Sequence, residues 1–257
     1  MVISPIPAFN DNYIWLLRGS GNQAVVVDPG DALPVIEMLD KEGLGLEAIL
    51  VTHKHGDHVG GIERLKRVYP NLLVYGPAGE PIPAIDRRLR GGDRVSLPGV
   101  GVEFEILDVP GHTEGHIAYY GAGAMFCGDT LFAAGCGRVF SGTHQQLHES
   151  LTRIAALPGE TLVYCAHEYT LDNLGFASWV EPDNPDIAQR TLETESLRRG
   201  DIPSVPSRLE VELRTNPFLR SGVPAVVAAA ERYAGHQLGS PAEIFTAIRT
   251  WKDREYD

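Results

Sequence analysis

An α/β (α+β) fold with a C-terminal all-helical domain is what this 257-residue chain predicts, and three observations predict it. Short β-rich runs alternate with a few helices up to about residue 170. Several of those runs end on a histidine or an aspartate, as in α/β scaffolds whose sites sit at strand exits. Beyond residue 170 the strand signals fade, and helical segments alternate with proline-containing loops.

Taken in order, residues 13–17 and 24–28 read as strands, and 33–41 as a helix ended by Gly43. The apolar run 48–51 is a strand, 61–68 has helical periodicity closed by Pro70, and 72–75 is a strand. Residues 80–92 form a connection rich in proline, arginine and glycine. Strands are expected over 95–97, 100–109, 117–120, 124–127 and 161–165, with a helix over 145–157. The later helices are 171–180, 185–199, 207–213, 225–233 and 241–252. The expected domains are 1–170, carrying the chemistry, and 171–257, helical and substrate-binding.

Composition narrows the function. An apolar fraction of 43% and a charged fraction of 22% are those of an ordinary soluble protein. No apolar run approaches the ~18 residues of a spanning helix, and the first residues lack the basic start and apolar core of a secretory signal. Three widely spaced cysteines suit a reducing cytosol rather than a disulfide framework. A net charge of −12 argues against nucleic acid, whose phosphates need clustered cations. A cytoplasmic monomer with no membrane or nucleic-acid partner is expected.

The segment Thr52-His53-Lys54-His55-Gly56-Asp57-His58 directly follows an apolar strand. His53 and His55 are two apart, so an extended backbone points them the same way. Asp57 and His58 fall on the next turn and face a second position, a pattern that suggests two adjacent metals. Imidazole nitrogen and carboxylate oxygen are the donors that borderline divalent cations prefer. Single candidates follow at the ends of later strands: His112, Asp129 and His167. Asp129 is the natural bridge, because a carboxylate can span two cations while lowering their repulsion. His53, His55 and His112 would hold one ion, and Asp57, His58 and His167 the other.

These motifs resemble the metallo-β-lactamase superfamily. Within it the chain is similar to glyoxalase II, the hydroxyacylglutathione hydrolases, on Asp11-Asn12-Tyr13, THKHGDHVGG from Thr52, PGHTEGH from Pro110, GDTLFAAGCGR from Gly128, AHEYT from Ala166 and NPFLR from Asn216. The resemblance spans nearly the whole chain. It implies a four-layered αβ/βα sandwich and all seven ligands above, with zinc expected and iron or manganese also suited to the donors. It implies that Arg138, Phe140, Tyr169, Arg249 and Lys252 contact glutathione. Phe140 departs from the tyrosine of several relatives and lacks its hydroxyl.

The implied reaction is hydrolysis of S-(2-hydroxyacyl)glutathione, such as S-D-lactoylglutathione, to a 2-hydroxy acid and glutathione, the second step of methylglyoxal detoxification. A metal cation brings the pKa of bound water from 15.7 to about 7, making hydroxide available at neutral pH. Asp57 would orient that nucleophile as well as bind metal, and Asp129 would place it between the ions. A thiolate leaving group, with a pKa of about 8.5, needs no strong general acid. Persulfide dioxygenases, with one iron and the same glutathione carrier, share the first-half motifs and are the nearest rival class. A non-catalytic metal-binding regulator is the other. The full second-metal set and the NPFLR tail favour the hydrolase.

Other residues read more plainly. His116 is expected to support a neighbouring loop or ligand, while His144 and His148 are expected to be solvated on their helix. His236 shows no partner in the sequence. Cys127 and Cys165 read as small buried packing residues, and Cys136 as fitting a tight turn. Gly60 and Gly61 allow close backbone approach at a helix start.

Overall fold

The computed structural model describes residues 1–256 as two compact units. Residue 257, the last of the expected helical domain, lies outside the described residues. The first unit comprises Met1–Val109 and Thr113–Gly128; the second comprises Pro110–His112 and Asp129–Asp257.

The first unit is built on two sheets. The strands β1 (Val2–Ala8), β2 (Asn12–Arg18), β3 (Gln23–Val27), β4 (Gly45–Leu50), β5 (Leu73–Pro77) and β6 (Arg87–Leu89) form one sheet in that order. β1 to β3 pair antiparallel, and β3 to β6 pair parallel. The helices α1 (Leu33–Glu42), α2 (Gly56–Val59) and α3 (Ile62–Val68) supply its connections. Val35, Leu39, Ile62 and Leu65 pack onto Ile14, Leu16, Val26 and Ile49, so one face of the sheet is sealed by helix. β4 is almost wholly buried, as expected of a parallel strand covered on both faces.

The second sheet of this unit runs β7 (Arg94–Leu97), β8 (Val102–Asp108), β9 (Ile117–Gly121) and β10 (Ala124–Gly128), all antiparallel. β8 alternates buried Val102, Phe104 and Ile106 with exposed Glu103 and Glu105, the pattern of a sheet with one wet face. The two sheets are tied where Tyr119 Oη donates to the Val51 carbonyl at 2.9 Å. Burial holds that hydroxyl well above the usual tyrosine range, so it remains a donor.

The second unit opens with a short ribbon, β11 (Leu131–Phe132) and β12 (Gly135–Cys136), and α4 (His144–Ala155), begun by a Thr143/Gln146 capping box. β13 (Leu162–Cys165) precedes α5 (Thr170–Val180) and α6 (Pro185–Arg199), and pairs with β14 (Ser207–Arg208). Then come α7 (Leu209–Thr215), a 3₁₀ turn at Pro217–Leu219, α8 (Pro224–Ala234), α9 (Pro241–Trp251) and a π-helical turn at Lys252–Tyr256. α6, α8 and α9 each carry proline at the start, where a missing N–H costs nothing.

Four expectations change here. β1 was not predicted; it carries two prolines and is an edge strand, where proline is tolerated. β6 interrupts the expected 80–92 connection, its two arginines exposed on an edge. Strands do not end at residue 170, since β14 lies in the helical part and moves the start of the expected 207–213 helix to Leu209. The last expected helix gives way at Lys252, where wider π-type turns replace α.

Candidate metal centre

In the first unit, β4 ends at Leu50 and releases an extended backbone that reaches α2. His53 and His55 do point the same way: His53 Nε2 lies 3.0 Å from His55 Nδ1. Asp57 and His58 sit on α2, with His58 Nε2 3.4 Å from Asp57 Oδ2. His53 and His58 are fully buried, and their rings are 4.1 Å apart. Three imidazoles therefore converge, two of them fully buried and His55 half-buried.

Their far sides are held by groups the sequence reading did not single out. Asp28 accepts from the Thr52 backbone N–H and the Thr52 hydroxyl, both at 2.7 Å, and lies 3.1 Å from His58 Nδ1. Having donated to Asp28, the Thr52 hydroxyl accepts from His53 Nδ1 at 3.1 Å. Each Nδ1 thus carries the proton, and each Nε2 offers a lone pair toward the cluster. Asp28, His53 and His58 present ligand-type atoms within 4.8 Å of one another. Asp28 takes a left-handed backbone with φ 52°, a conformation aspartate tolerates better than most residues. The signal for it was a carboxylate directly after β3, which pairs parallel with β4.

Asn12 belongs to the motif noted in the sequence, and its Nδ2 donates to Asp57 Oδ2 at 3.0 Å. Gly30 lets the backbone close on the same residue, because a Cβ there would lie 1.8 Å from the Asp57 carbonyl oxygen. His116 stacks on His53 at 4.6 Å and 16°, with Nδ1 3.0 Å from the Ile117 carbonyl. It backs a ligand candidate, as expected. Glu80 accepts from Thr113 Oγ1 at 2.5 Å and Gly115 N at 3.1 Å, and sits 3.7 Å from Lys54 Nζ. That buried carboxylate lies in what read as a connection rich in proline, arginine and glycine.

In the second unit, Asp129 lies between two histidines. Its Oδ2 is 3.5 Å from His112 Nε2, and its Oδ1 is 3.4 Å from His167 Nε2. His112 Nδ1 donates to the Arg138 carbonyl at 2.7 Å, so its Nε2 is the nitrogen offered to Asp129. Gly137 permits this: a Cβ there would lie 2.0 Å from the Asp129 carbonyl oxygen and 2.9 Å from His112 Nδ1. One carboxylate facing an imidazole on each side is the arrangement a bridging ligand requires. Nitrogen and oxygen donors, oriented from behind by hydrogen bonds, fit divalent cations in both units.

The residues linked by resemblance to glutathione also lie in this unit. Tyr169 stacks on His167 at 4.8 Å and 8°. Phe140 is 66% exposed and sets its ring edge-on to His112 at 5.2 Å. Arg138 is half exposed, with Nε 3.6 Å from Asp253 Oδ1. Arg249 is only 1% exposed; it donates to the Cys136 carbonyl and to Asp253, both at 3.0 Å, and lies over the Phe218 ring. Lys252 is buried too, 3.1 Å from Asp172 Oδ2 and over the rings of Phe176 and Tyr256. Both members of this pair face inward.

His144 and His148 are not solvated as expected. Both rings lie against Phe245, and burial pushes both imidazoles below their usual range. His148 Nε2 is 3.3 Å from Ser221 Oγ. His236 Nδ1 has the Ala234 carbonyl at 3.0 Å, a local partner the sequence did not suggest. All three cysteines are buried thiols, and burial pushes Cys136 up to about 11 and Cys165 up to about 12. Gly61 precedes α3 and packs its backbone against Pro29, as a glycine chosen for close approach does.

With this geometry in hand, the known proteins agree. The metallo-beta-lactamase superfamily model matches residues 8–167, and the model of the hydroxyacylglutathione hydrolase C-terminus matches residues 168–255. This chain belongs to the hydroxyacylglutathione hydrolase (glyoxalase II) family of the metallo-β-lactamase superfamily. The hydroxyacylglutathione hydrolase of Nitrosomonas eutropha is 50% identical over 251 residues, covering 98% of each chain. ETHE1 from Myxococcus xanthus superposes with a TM-score of 0.68 at 25% identity, covering 100% of this chain and 93% of that one. TTHA1623 in a di-iron-bound form gives a TM-score of 0.59 at 27% identity, covering 85% and 100%. The fold is accordingly α/β, of the metallo-β-lactamase type, continued by a helical region. Superfamily and histidine–aspartate clusters together mark the protein as one that binds divalent metal. Among the described residues no helix is long and apolar enough to cross a membrane.

Proposed function

We propose that this protein hydrolyses S-(2-hydroxyacyl)glutathione thioesters such as S-D-lactoylglutathione at a centre of two divalent cations, zinc in the first instance. The observation that carries the reading is Asp129, whose two oxygens face His112 and His167 at 3.5 and 3.4 Å. His53, His55 and His112 would hold one ion and Asp57, His58 and His167 the other, with Asp129 shared. Two cations held there supply Lewis acidity and hydroxide at neutral pH.

The chain's own residues do the rest. Asp57, steered by Asn12, orients the attacking nucleophile. Asp28 and Thr52 keep the outer nitrogens of His58 and His53 protonated, so these imidazoles neither rotate nor compete for the nucleophile's proton. Tyr169 and Phe140 offer flat surfaces beside His167 and His112 for the glutathione backbone. Arg138 is the exposed cation for glutathione's carboxylates in a chain of net charge −12, and Arg249 and Lys252, inward-facing and paired with Asp253 and Asp172, would join it by exchanging those partners for the ligand. The thiolate leaves without a dedicated acid.

In this reading residues 1–170 carry the chemistry and 171–257 the glutathione recognition, in a cytoplasmic monomer that needs no nucleic acid or membrane. Three cysteines, each a buried thiol, suit that compartment. The test compares thioester loss from S-D-lactoylglutathione with loss from the same lactoyl group on N-acetylcysteamine. Fast turnover of the glutathione ester alone is expected. Equal turnover of both would remove the recognition role, and no turnover by metal-loaded protein would overturn the hydrolase reading.

A further inference from the structure

The ribbon β11–β12 carries more buried polar support than a connection of its size calls for. It spans Leu131–Cys136, starting two residues after Asp129 and ending two residues before Arg138. Asp129 is the proposed bridge, and the Arg138 carbonyl takes the His112 Nδ1 proton. The ribbon is therefore the only covalent path between two groups that must keep their spacing. Two residues per strand are too few to hold such a path rigid through strand pairing alone.

Side chains from the helical part provide that rigidity. Asn173 on α5 donates to the Ala133 carbonyl at 3.0 Å. Glu212 on α7 accepts the Ala134 N–H at 2.8 Å. Asn216, just after α7, donates to the carbonyls of Phe132 at 3.2 Å and Gly135 at 2.9 Å. Arg249 on α9 caps the end by donating to the Cys136 carbonyl at 3.0 Å. All four side chains are more than nine-tenths buried.

The clamp is itself clamped. The other oxygen of Glu212 accepts from Arg190 and Ser207, each at 2.5 Å, and Asn216 also donates to Glu212 at 3.2 Å. Ala134 sits at the turn with φ 57°, a left-handed conformation costly for alanine, and Glu212 holds its N–H there. Gly135 has room for no side chain, since a Cβ would lie 2.4 Å from the Asn173 amide. Every constraint converges on the shape of the backbone between Asp129 and Arg138.

We infer that Asn173, Glu212 and Asn216 are positioning residues for the metal centre, so that the helical part sets metal affinity as well as substrate recognition. The inference rests on the dinuclear reading above. It assigns a task to the asparagine of the NPFLR motif, which substrate recognition leaves unexplained.

The test is zinc affinity, measured on full-length apo-protein by competition with a chromophoric chelator. Asn173→Ala and Asn216→Ala should bind zinc roughly 10–100-fold more weakly, the usual cost of removing an outer partner of a metal site. Asn173→Ser, which keeps a donor, should recover part of that loss. Arg220→Ala is the control: it breaks the two-pronged Arg220–Glu181 pair and the bond to the Leu213 carbonyl in the same helical part, while leaving each hydrogen bond to the ribbon in place. It should lower the melting temperature while leaving zinc affinity near wild type. Wild-type affinity in Asn173→Ala and Asn216→Ala would overturn the inference alone. So would a loss of affinity in Arg220→Ala as large as theirs. A wild type that takes up fewer than two ions would overturn the dinuclear reading and this inference with it.

Discussion

The two stretches that carry ligand candidates are held in opposite ways. His53, His55, Asp57 and His58 are backed by close neighbours in one sheet: Asp28 at the end of β3, Thr52 at the end of β4 and Asn12 on β2. The segment from Asp129 to Arg138 is backed by side chains 40 to 113 residues away in sequence, on helices or at a helix end. A strand exit inherits its geometry from the ladder beside it. A short ribbon inherits none and must borrow it. The lesson is that one set of ligand candidates is held as a local property of a sheet, whereas the other is held as a long-range property of the chain.

Breaking the shared member should have the largest effect. Asp129→Ala is expected to lose most bound metal and nearly all thioesterase activity, measured by metal analysis and thioester loss on the same sample. Next comes the local side of the comparison. Asp28→Asn tolerates the left-handed backbone but removes a charge that Thr52 and His58 both use. Metal affinity should fall roughly 10–100-fold while secondary structure, followed by circular dichroism, persists.

A smaller effect sharpens the long-range side. Lys252→Ala should raise KM for the glutathione thioester about tenfold or more, the scale of one hydrogen bond to a charged group (about 1.5–3 kcal/mol), with metal content unchanged. Arg249→Ala should raise KM and also lower metal content, because Arg249 holds the Cys136 carbonyl as well. Identical behaviour of the two variants would erase the distinction between recognition and positioning.

The smallest expected effect is a slope with pH. Burial raises the Cys136 thiol from 9.0 to about 11, so the folded protein keeps a proton that the unfolded chain releases. Stability from this group is full below pH 9 and is lost as pH rises toward 11. Cys136→Ser, compared with wild type by thermal melts across that window, should flatten the slope.

Most of the strands and helices could be read from periodicity, because burial on one face writes itself into residue order. β8 and α4 are clear instances, one alternating by two and the other capped by Thr143. β1 and β6 could not, since their strand character comes from edge pairing and not from their own residues. His53, His55, Asp57 and His58 were legible because their spacing alone orients them. Asp28 and Glu80 were not, because a lone carboxylate looks the same in sequence whether it braces a histidine or faces water.

By itself the sequence determined the chemistry on offer, a histidine and aspartate set of metal-binding type, and the kind of scaffold that presents it. Only the tertiary structure decided which nitrogen each of His53, His58 and His112 offers, since that depends on partners at their far sides. It alone decided that Arg249 and Lys252 face inward. Residue order constrains what neighbours along a chain can do together. Proton placement and burial depend on neighbours in space, which only folding brings within hydrogen-bonding reach.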